Sequence, residues 1–168
     1  MNKDSLMTQG STIVGNLVVP PNAKFAVLAA RTNSFIVDRL IEGAYDALLR
    51  HGAGNDRITL VRVPGSWEMP VTCARLAQSK KFDAIVAVGA VIQGGTPHFE
   101  YISAEVTKGL SQIALTTGIP VCFGVLTTDT LEQAIDRAGV KAGNKGFDAA
   151  MAAIEMVSLM QDLGNHGL

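Results

Sequence analysis

Ala84-Ile85-Val86-Ala87-Val88-Gly89-Ala90-Val91-Ile92, followed by Gln93-Gly94-Gly95-Thr96-Pro97-His98, is the stretch on which the fold turns. Apolar at consecutive positions, it lacks the alternation of a half-exposed strand. It reads instead as a strand covered on both faces, as central strands of parallel sheets are. It is the longest apolar run of the chain, half the ~18 residues a membrane helix needs, and Gly89 interrupts it. Gly-Gly-Thr-Pro then marks a tight turn and a helix start, with Thr96 as N-cap and Pro97 at the first helical position.

Working outward, Phe25 to Ala30, Ile58 to Val63 and Val121 to Leu126 are further short apolar strands. Between them helical spacing recurs. Ser34 to His51 carries Val37, Leu40, Ile41, Ala44 and Leu48 on one face, with Gly52 as the stop. Pro70 to Gln78 reads as a short helix. Pro97 to Thr116 reads as a long one, with Ile102, Val106, Leu110 and Ile113 in line. Leu131 to Ala138 is a short helix with a Thr130/Gln133 capping box, and Gly139 closes it. Residues 141–146 form a loop, and Phe147 to Leu163 is the last helix. Strand and helix alternating four times predict an α/β fold: a parallel sheet with helices on both faces. Residues 1–22 are set apart as a polar arm ending in Pro20-Pro21, in which Thr12 to Val19 is a weak strand. Residues 23–168 form a single domain.

The 168 residues are 48% hydrophobic and only 17% charged, against a usual ~25% charged. Mean hydropathy is +0.26. So little charge to cover a surface predicts a subunit of something larger. The first 24 residues lack an apolar signal core, and a cytoplasmic protein is expected. Cys73 and Cys122 stand far apart with no CxxC, which suggests inert thiols rather than a metal or disulfide framework. A net charge of −1 gives no basic stripe for nucleic acid.

In open parallel sheets, ligands bind beyond the carboxyl ends of the strands. The segments there are Arg31-Thr32-Asn33-Ser34-Phe35, Pro64-Gly65-Ser66-Trp67-Glu68-Met69-Pro70, Gln93 to Phe99, and Thr127-Thr128-Asp129-Thr130. Five of the nine aromatic residues (Phe35, Trp67, Phe99, Tyr101 and Phe123) lie on or beside these ends, which favours a flat organic ring as ligand. The Gly94-Gly95 turn and the helix start after it offer free N–H groups suited to phosphate. His98 sits in that first turn as a candidate proton carrier, or is simply an exposed first-turn histidine. Glu68 is either a carboxylate for ligand hydroxyls or a helix-start charge. Arg137 is either a phosphate clamp or a helix-end charge.

Taken together, Val63-Pro64-Gly65-Ser66-Trp67-Glu68-Met69-Pro70, Gly89 through Tyr101, Gly124 through Ala134, Arg137-Ala138-Gly139 and Lys141 through Gly146 resemble the 6,7-dimethyl-8-ribityllumazine synthase family, in order over residues 13–163. The resemblance implies a flavodoxin-like three-layer sandwich with a four-stranded parallel sheet, to which the N-terminal strand of a neighbouring subunit is added. It implies condensation of 5-amino-6-(D-ribitylamino)uracil with 3,4-dihydroxy-2-butanone 4-phosphate, releasing phosphate and water, with no cofactor or metal. It makes His98 the proton-transfer residue. Gly95 and Thr96 become the phosphate loop, with Arg137 reaching in from a neighbour. Ser66, Trp67 and Glu68 flank the ribityl chain. Ala90, Val91 and Ile92 line the pyrimidine, and Asn33 and Phe123 complete the pocket, Phe123 across the subunit interface.

Three positions depart from the family pattern. Thr32 stands where an aromatic ring usually stacks on the pyrimidine. Gln93 stands where Arg is common, and Val140 where Thr is usual. The first two keep open an alternative: a catalytically weak lumazine- or flavin-binding shell or carrier protein of the same fold. The resemblance further implies homopentamers that close into a sixty-subunit icosahedral shell, with riboflavin synthase as a partner and neither nucleic acid nor membrane.

Overall fold

The structure, a computed structural model, describes residues 11–168. Four strands, β1 (Phe25–Ala30), β2 (Ile58–Val63), β3 (Ala84–Ile92) and β4 (Val121–Thr128), form one sheet in the order β2-β1-β3-β4. All pairings are parallel, with Phe25 opposite both Ile58 and Ala84, and Ile85 opposite Val121. The chain moves outward from β1 to β2 and then crosses back over β1 to β3. The crevice between β1 and β3 is therefore the topological switch point. β1 is buried along its whole length, and β3 at every residue but Ile92. Their unbroken apolar text is what a doubly covered strand requires.

Helices α1 (Ser34–Arg50), α4 (Leu131–Asp136) and α5 (Lys145–Asn165) cover one face. Helices α2 (Met69–Gln78) and α3 (His98–Thr117) cover the other. Phe25, Val27, Leu40, Leu48 and Ile154 fill the first layer; Leu28, Met69, Ile85, Val106 and Leu110 fill the second. At Gly146, α5 approaches α1 so closely that a Cβ would collide with the Leu40 carbonyl oxygen. The cap of α5 ties the same junction. Asn144 Oδ1 accepts from the N–H groups of Gly146 and Phe147, while its Nδ2 donates to the Arg39 carbonyl at 2.8 Å.

Several local expectations change. The long helix α3 starts at His98, not Pro97. Pro97 is its N-cap at φ −69°, ψ 3°, with no side-chain cap, so Thr96 does not take that role. A ψ near zero at Pro97 is not yet helical, which delays the first turn by one residue. β4 runs on to Thr128. α4 ends at Asp136, because Ala138 begins a two-stranded hairpin, β5 (Ala138–Val140) and β6 (Gly143–Asn144), where a loop was expected. Gly139 and Gly143 hold left-handed conformations in it. Thr130 caps α4 by accepting from the Gln133 N–H at 3.2 Å, as its spacing suggested.

Residues 1–10 of the expected arm lie outside the described residues. Residues 12–19 form no strand within the chain. The Asn16 N–H donates to Ser158 Oγ, and the Val19 N–H to the His51 carbonyl. Val14, Leu17 and Val18 are left exposed. Among the described residues, no helix is long and apolar enough to cross a membrane.

Candidate active site

A cleft of about 670 Å3 opens at the carboxyl ends of β1 and β3, on the switch point. Its floor is the end of β3, where Ala90, Val91 and Ile92 emerge from the core. The turn after β1 forms one wall. Asn33 adopts a left-handed conformation (φ 58°, ψ 45°), which Asn tolerates better than most residues. Its Nδ2 donates to the Ala90 carbonyl at 2.8 Å, so one side chain clamps the β1 turn to β3 across the crevice. Thr32 Oγ1 donates to the Pro64 carbonyl at 2.9 Å and joins this turn to the one after β2.

The opposite wall is a single 3-10 turn, Ser66–Glu68, leading into α2. Ser66 is buried against β3, where Gly89 leaves room: a Cβ there would sit 3.2 Å from Ser66 Oγ. Trp67 is exposed at the rim. Glu68 Oε2 accepts the Gly65 N–H at 3.0 Å, which fixes the carboxylate at the helix start. At the mouth stands His98, the exposed first residue of α3. Tyr101 and Ile102, one turn on, line the cleft with it.

The structure thus gathers Thr32, Asn33, Ser66, Trp67, Glu68, Ala90, Val91, Ile92 and His98 around one space. Gly65 and Ile102 are lining residues that the sequence reading does not assign to the site, and Tyr101 is named there only as a ring beside the strand ends. Helical spacing could have found the last two, since i+3 and i+4 share a face with i. Gly95 and Thr96 lie in the exposed loop between the cleft and α3. A Cβ at Gly94 or Gly95 would meet nothing within 4 Å, and neither has a left-handed φ. Nothing in the chain's own packing demands glycine there, which leaves room for a ligand to approach the backbone. Among the described residues, the N–H groups of Thr96, His98 and Phe99 have no partner. They are the free donors of a helix start.

Two residues that the resemblance brings in from a neighbouring copy, Phe123 and Arg137, do not line the cleft of their own chain. Phe123 stands half-exposed on β4, an edge strand of the sheet, on the same face as Val125. Arg137, at the end of α4, turns back to donate from Nη1 to the Gln133 carbonyl at 3.0 Å. Of the five aromatic residues near strand ends, Trp67 and Tyr101 line the cleft. Phe99 packs beneath, and Phe35 is exposed outside it.

The cysteines are remote from this chemistry. Burial pushes the Cys73 thiol up to about 12 and the Cys122 thiol up to about 11, so neither offers a thiolate nucleophile near neutrality. Among the described residues, no three His, Cys, Asp or Glu side chains are placed to hold a metal ion.

A parallel sheet with a mostly apolar cleft at its switch point defines a flavodoxin-like α/β protein acting on a small organic ligand. The helix start with free donors adds a place for an anionic group on that ligand. Residues 22–161 match the family model of 6,7-dimethyl-8-ribityllumazine synthase, and the chain belongs to that family. Membership brings the transferase activity of that family, a step of riboflavin biosynthesis.

Proposed function

We propose that the cleft between β1 and β3 is where 5-amino-6-(D-ribitylamino)uracil condenses with 3,4-dihydroxy-2-butanone 4-phosphate. The amine attacks the ketone carbonyl and water leaves as the imine forms. Phosphate is then eliminated, and ring closure expels a second water. The observation that carries this reading is that one cleft holds His98, Glu68 and the β3 end together, next to a helix start with free donors.

The roles that the family resemblance implies are compatible with these positions. The backbone at Ala90–Ile92 meets the pyrimidine edge, with Asn33 holding that wall in place. Ser66, Trp67 and Glu68 flank the ribityl chain; Glu68 keeps one carboxylate oxygen on Gly65 and offers the other to hydroxyls. Gly95, Thr96 and the start of α3 take the phosphate, whose charge grows as it leaves and is stabilised by donors already in place. His98 moves protons in the imine and dehydration steps. Holding the two reactants together supplies much of the acceleration.

Phe123 and Arg137 join the site from an adjacent copy, in a homopentamer whose pentamers close into an icosahedral shell in the cytoplasm. Riboflavin synthase is a partner for that shell. Support comes from the places these two residues occupy: both lie off the cleft of their own chain, and Phe123 presents a ring at a sheet edge. Residues 12–19, with their exposed Val14, Leu17 and Val18, then pair with a neighbour's sheet edge and protect it.

Mixing the protein with both substrates and following lumazine fluorescence tests the reaction. A rate above the spontaneous one supports it. Ligand binding with no acceleration would instead favour a carrier, a reading kept in view by Thr32, whose hydroxyl is engaged with Pro64 and which has no ring to stack. Sedimentation of the assembled particle tests the shell.

A further inference from the structure

Opposite the cleft, at the amino ends of the strands, lies a second cavity of about 640 Å3. Lys24 immediately precedes β1, Arg57 precedes β2, and Lys80 and Lys81 precede β3 after the end of α2. Four of the chain's 14 Lys and Arg residues therefore converge on one pocket, in a protein whose net charge is −1. One carboxylate, Asp56, shares the lining. A strand of six residues separates this end of the sheet from the cleft by about 20 Å.

None of the four cations forms a salt bridge among the described residues, whereas Arg39, Arg50, Arg62 and Lys145 all do. Arg57 donates only to a backbone carbonyl, that of Gly52, at 2.8 Å. The arrangement is also braced. The Lys24 N–H donates to Asp83 Oδ2 at 2.7 Å, and the Asp83 N–H returns a bond to the Lys24 carbonyl at 2.8 Å. That carboxylate, at the pocket's flank, is partly satisfied by backbone and leaves the lysine side chains to solvent. Lys80 holds a left-handed backbone (φ 56°), the conformation a helix end normally gives to glycine.

Helix ends do attract cations, because carbonyl groups point outward there. That accounts for one or two lysines near α2. It does not account for Lys24 and Arg57, brought to the same cavity from two other strands, nor for a lysine kept where glycine is easier.

We infer that this pocket is a second anion site, built for a ligand carrying a diphosphate or similarly dense cluster of phosphate charge. Three lysines and one arginine line a space large enough for a nucleotide-sized molecule, with Asp56, Thr59 and Phe82 also in its wall. The inference is independent of the reaction proposed above.

Calorimetric titration of the assembled protein with pyrophosphate at low ionic strength tests it, beside a Lys24→Gln/Lys81→Gln double variant. Pyrophosphate should bind the double variant roughly tenfold or more weakly, and lumazine formation should be unchanged. ADP serves as the second arm. Affinity equal to that of pyrophosphate means phosphate alone is read, and tighter binding means the ring contributes beside Phe82; both support the site if the double variant loses them. In Lys80→Gly the relieved backbone should raise Tm while pyrophosphate binding weakens. Identical binding by wild type and both variants overturns the inference.

Discussion

On the face of the sheet covered by α1, α4 and α5, Phe25, Leu40, Leu48 and Ile154 are wholly buried, and Gly146 brings two helix backbones into contact. On the face covered by α2 and α3 the core is smaller, and Trp67, Val71, Tyr101, Leu115 and Phe123 remain exposed. The first face exposes Phe35, Leu49, Leu131 and Met160, but the rings of Trp67, Tyr101 and Phe123 stand on the second, around and beyond the cleft. Large apolar groups left exposed beside a ligand site mark a surface suited to association. The same residues can then serve ligand binding and, where a neighbouring copy covers them, association.

The largest effects should separate the two faces. Leu40→Ala empties a fully buried position in the α1 layer and should cost about 2–5 kcal/mol in denaturant unfolding. Leu115→Ala removes the same atoms from a side chain that is 79% exposed, and should change intrinsic stability by no more than about 0.5 kcal/mol. If neighbouring copies cover that face, its cost appears only as a Tm that depends on protein concentration. Equal, concentration-independent losses in both variants would break the comparison.

His98→Ala is the next largest effect. A general acid–base residue removed from a site that still aligns both reactants should slow turnover roughly ten- to a hundredfold, leaving substrate binding near wild type. A folded variant that binds both substrates yet shows no acceleration would mean that proximity contributes little. Thr32→Phe follows. A ring at this rim could stack on the pyrimidine, worth about 1–3 kcal/mol by analogy with base–aromatic stacking. It would also lose the hydroxyl bond to Pro64. The expected readout is a lower KM for the aminouracil; an unchanged KM would show that Trp67 or Tyr101 already supplies the contact.

How much of this was legible in the sequence depends on which physical signal each feature leaves. β1 and β3 announce themselves because a doubly covered strand must be apolar at consecutive residues. The cleft follows from them, since a parallel sheet puts its ligand at the strands' carboxyl ends; hence Glu68 and His98 could be named from position, whereas Asn33 is singled out only by the family resemblance. The β5–β6 hairpin could not. Its strands are two or three residues long, too short for periodicity, and only Gly139 and Gly143 hint at it. Asn144 reads as loop text because its role as cap and bridge to Arg39 depends on a contact 105 residues away. Thr96 looked like an N-cap by residue type, and the backbone of Pro97 decided otherwise. Arg137 and Phe123 lie off the cleft of their own chain, and no local pattern in one sequence places a side chain relative to a neighbouring copy.

Gln93 gives the smallest effect and the finest probe of the open face. Its backbone is fixed by an N–H bond to the Thr128 carbonyl at 2.9 Å, while its side chain is exposed beside the glycine loop. Gln93→Arg therefore adds a positive charge at the loop's mouth without asking the backbone to move. An exposed charge acts mainly through long-range attraction, so the gain should be in capture of the phosphate-bearing substrate rather than in turnover. The expected rise in kcat/KM is about threefold or less at low ionic strength, fading as the Debye length falls below ~10 Å above 0.1 M salt. Wild type, lacking that charge, should show the flatter salt dependence. Parallel salt curves for the two proteins would place phosphate capture away from this loop, and with it the division of labour between the two faces of the sheet.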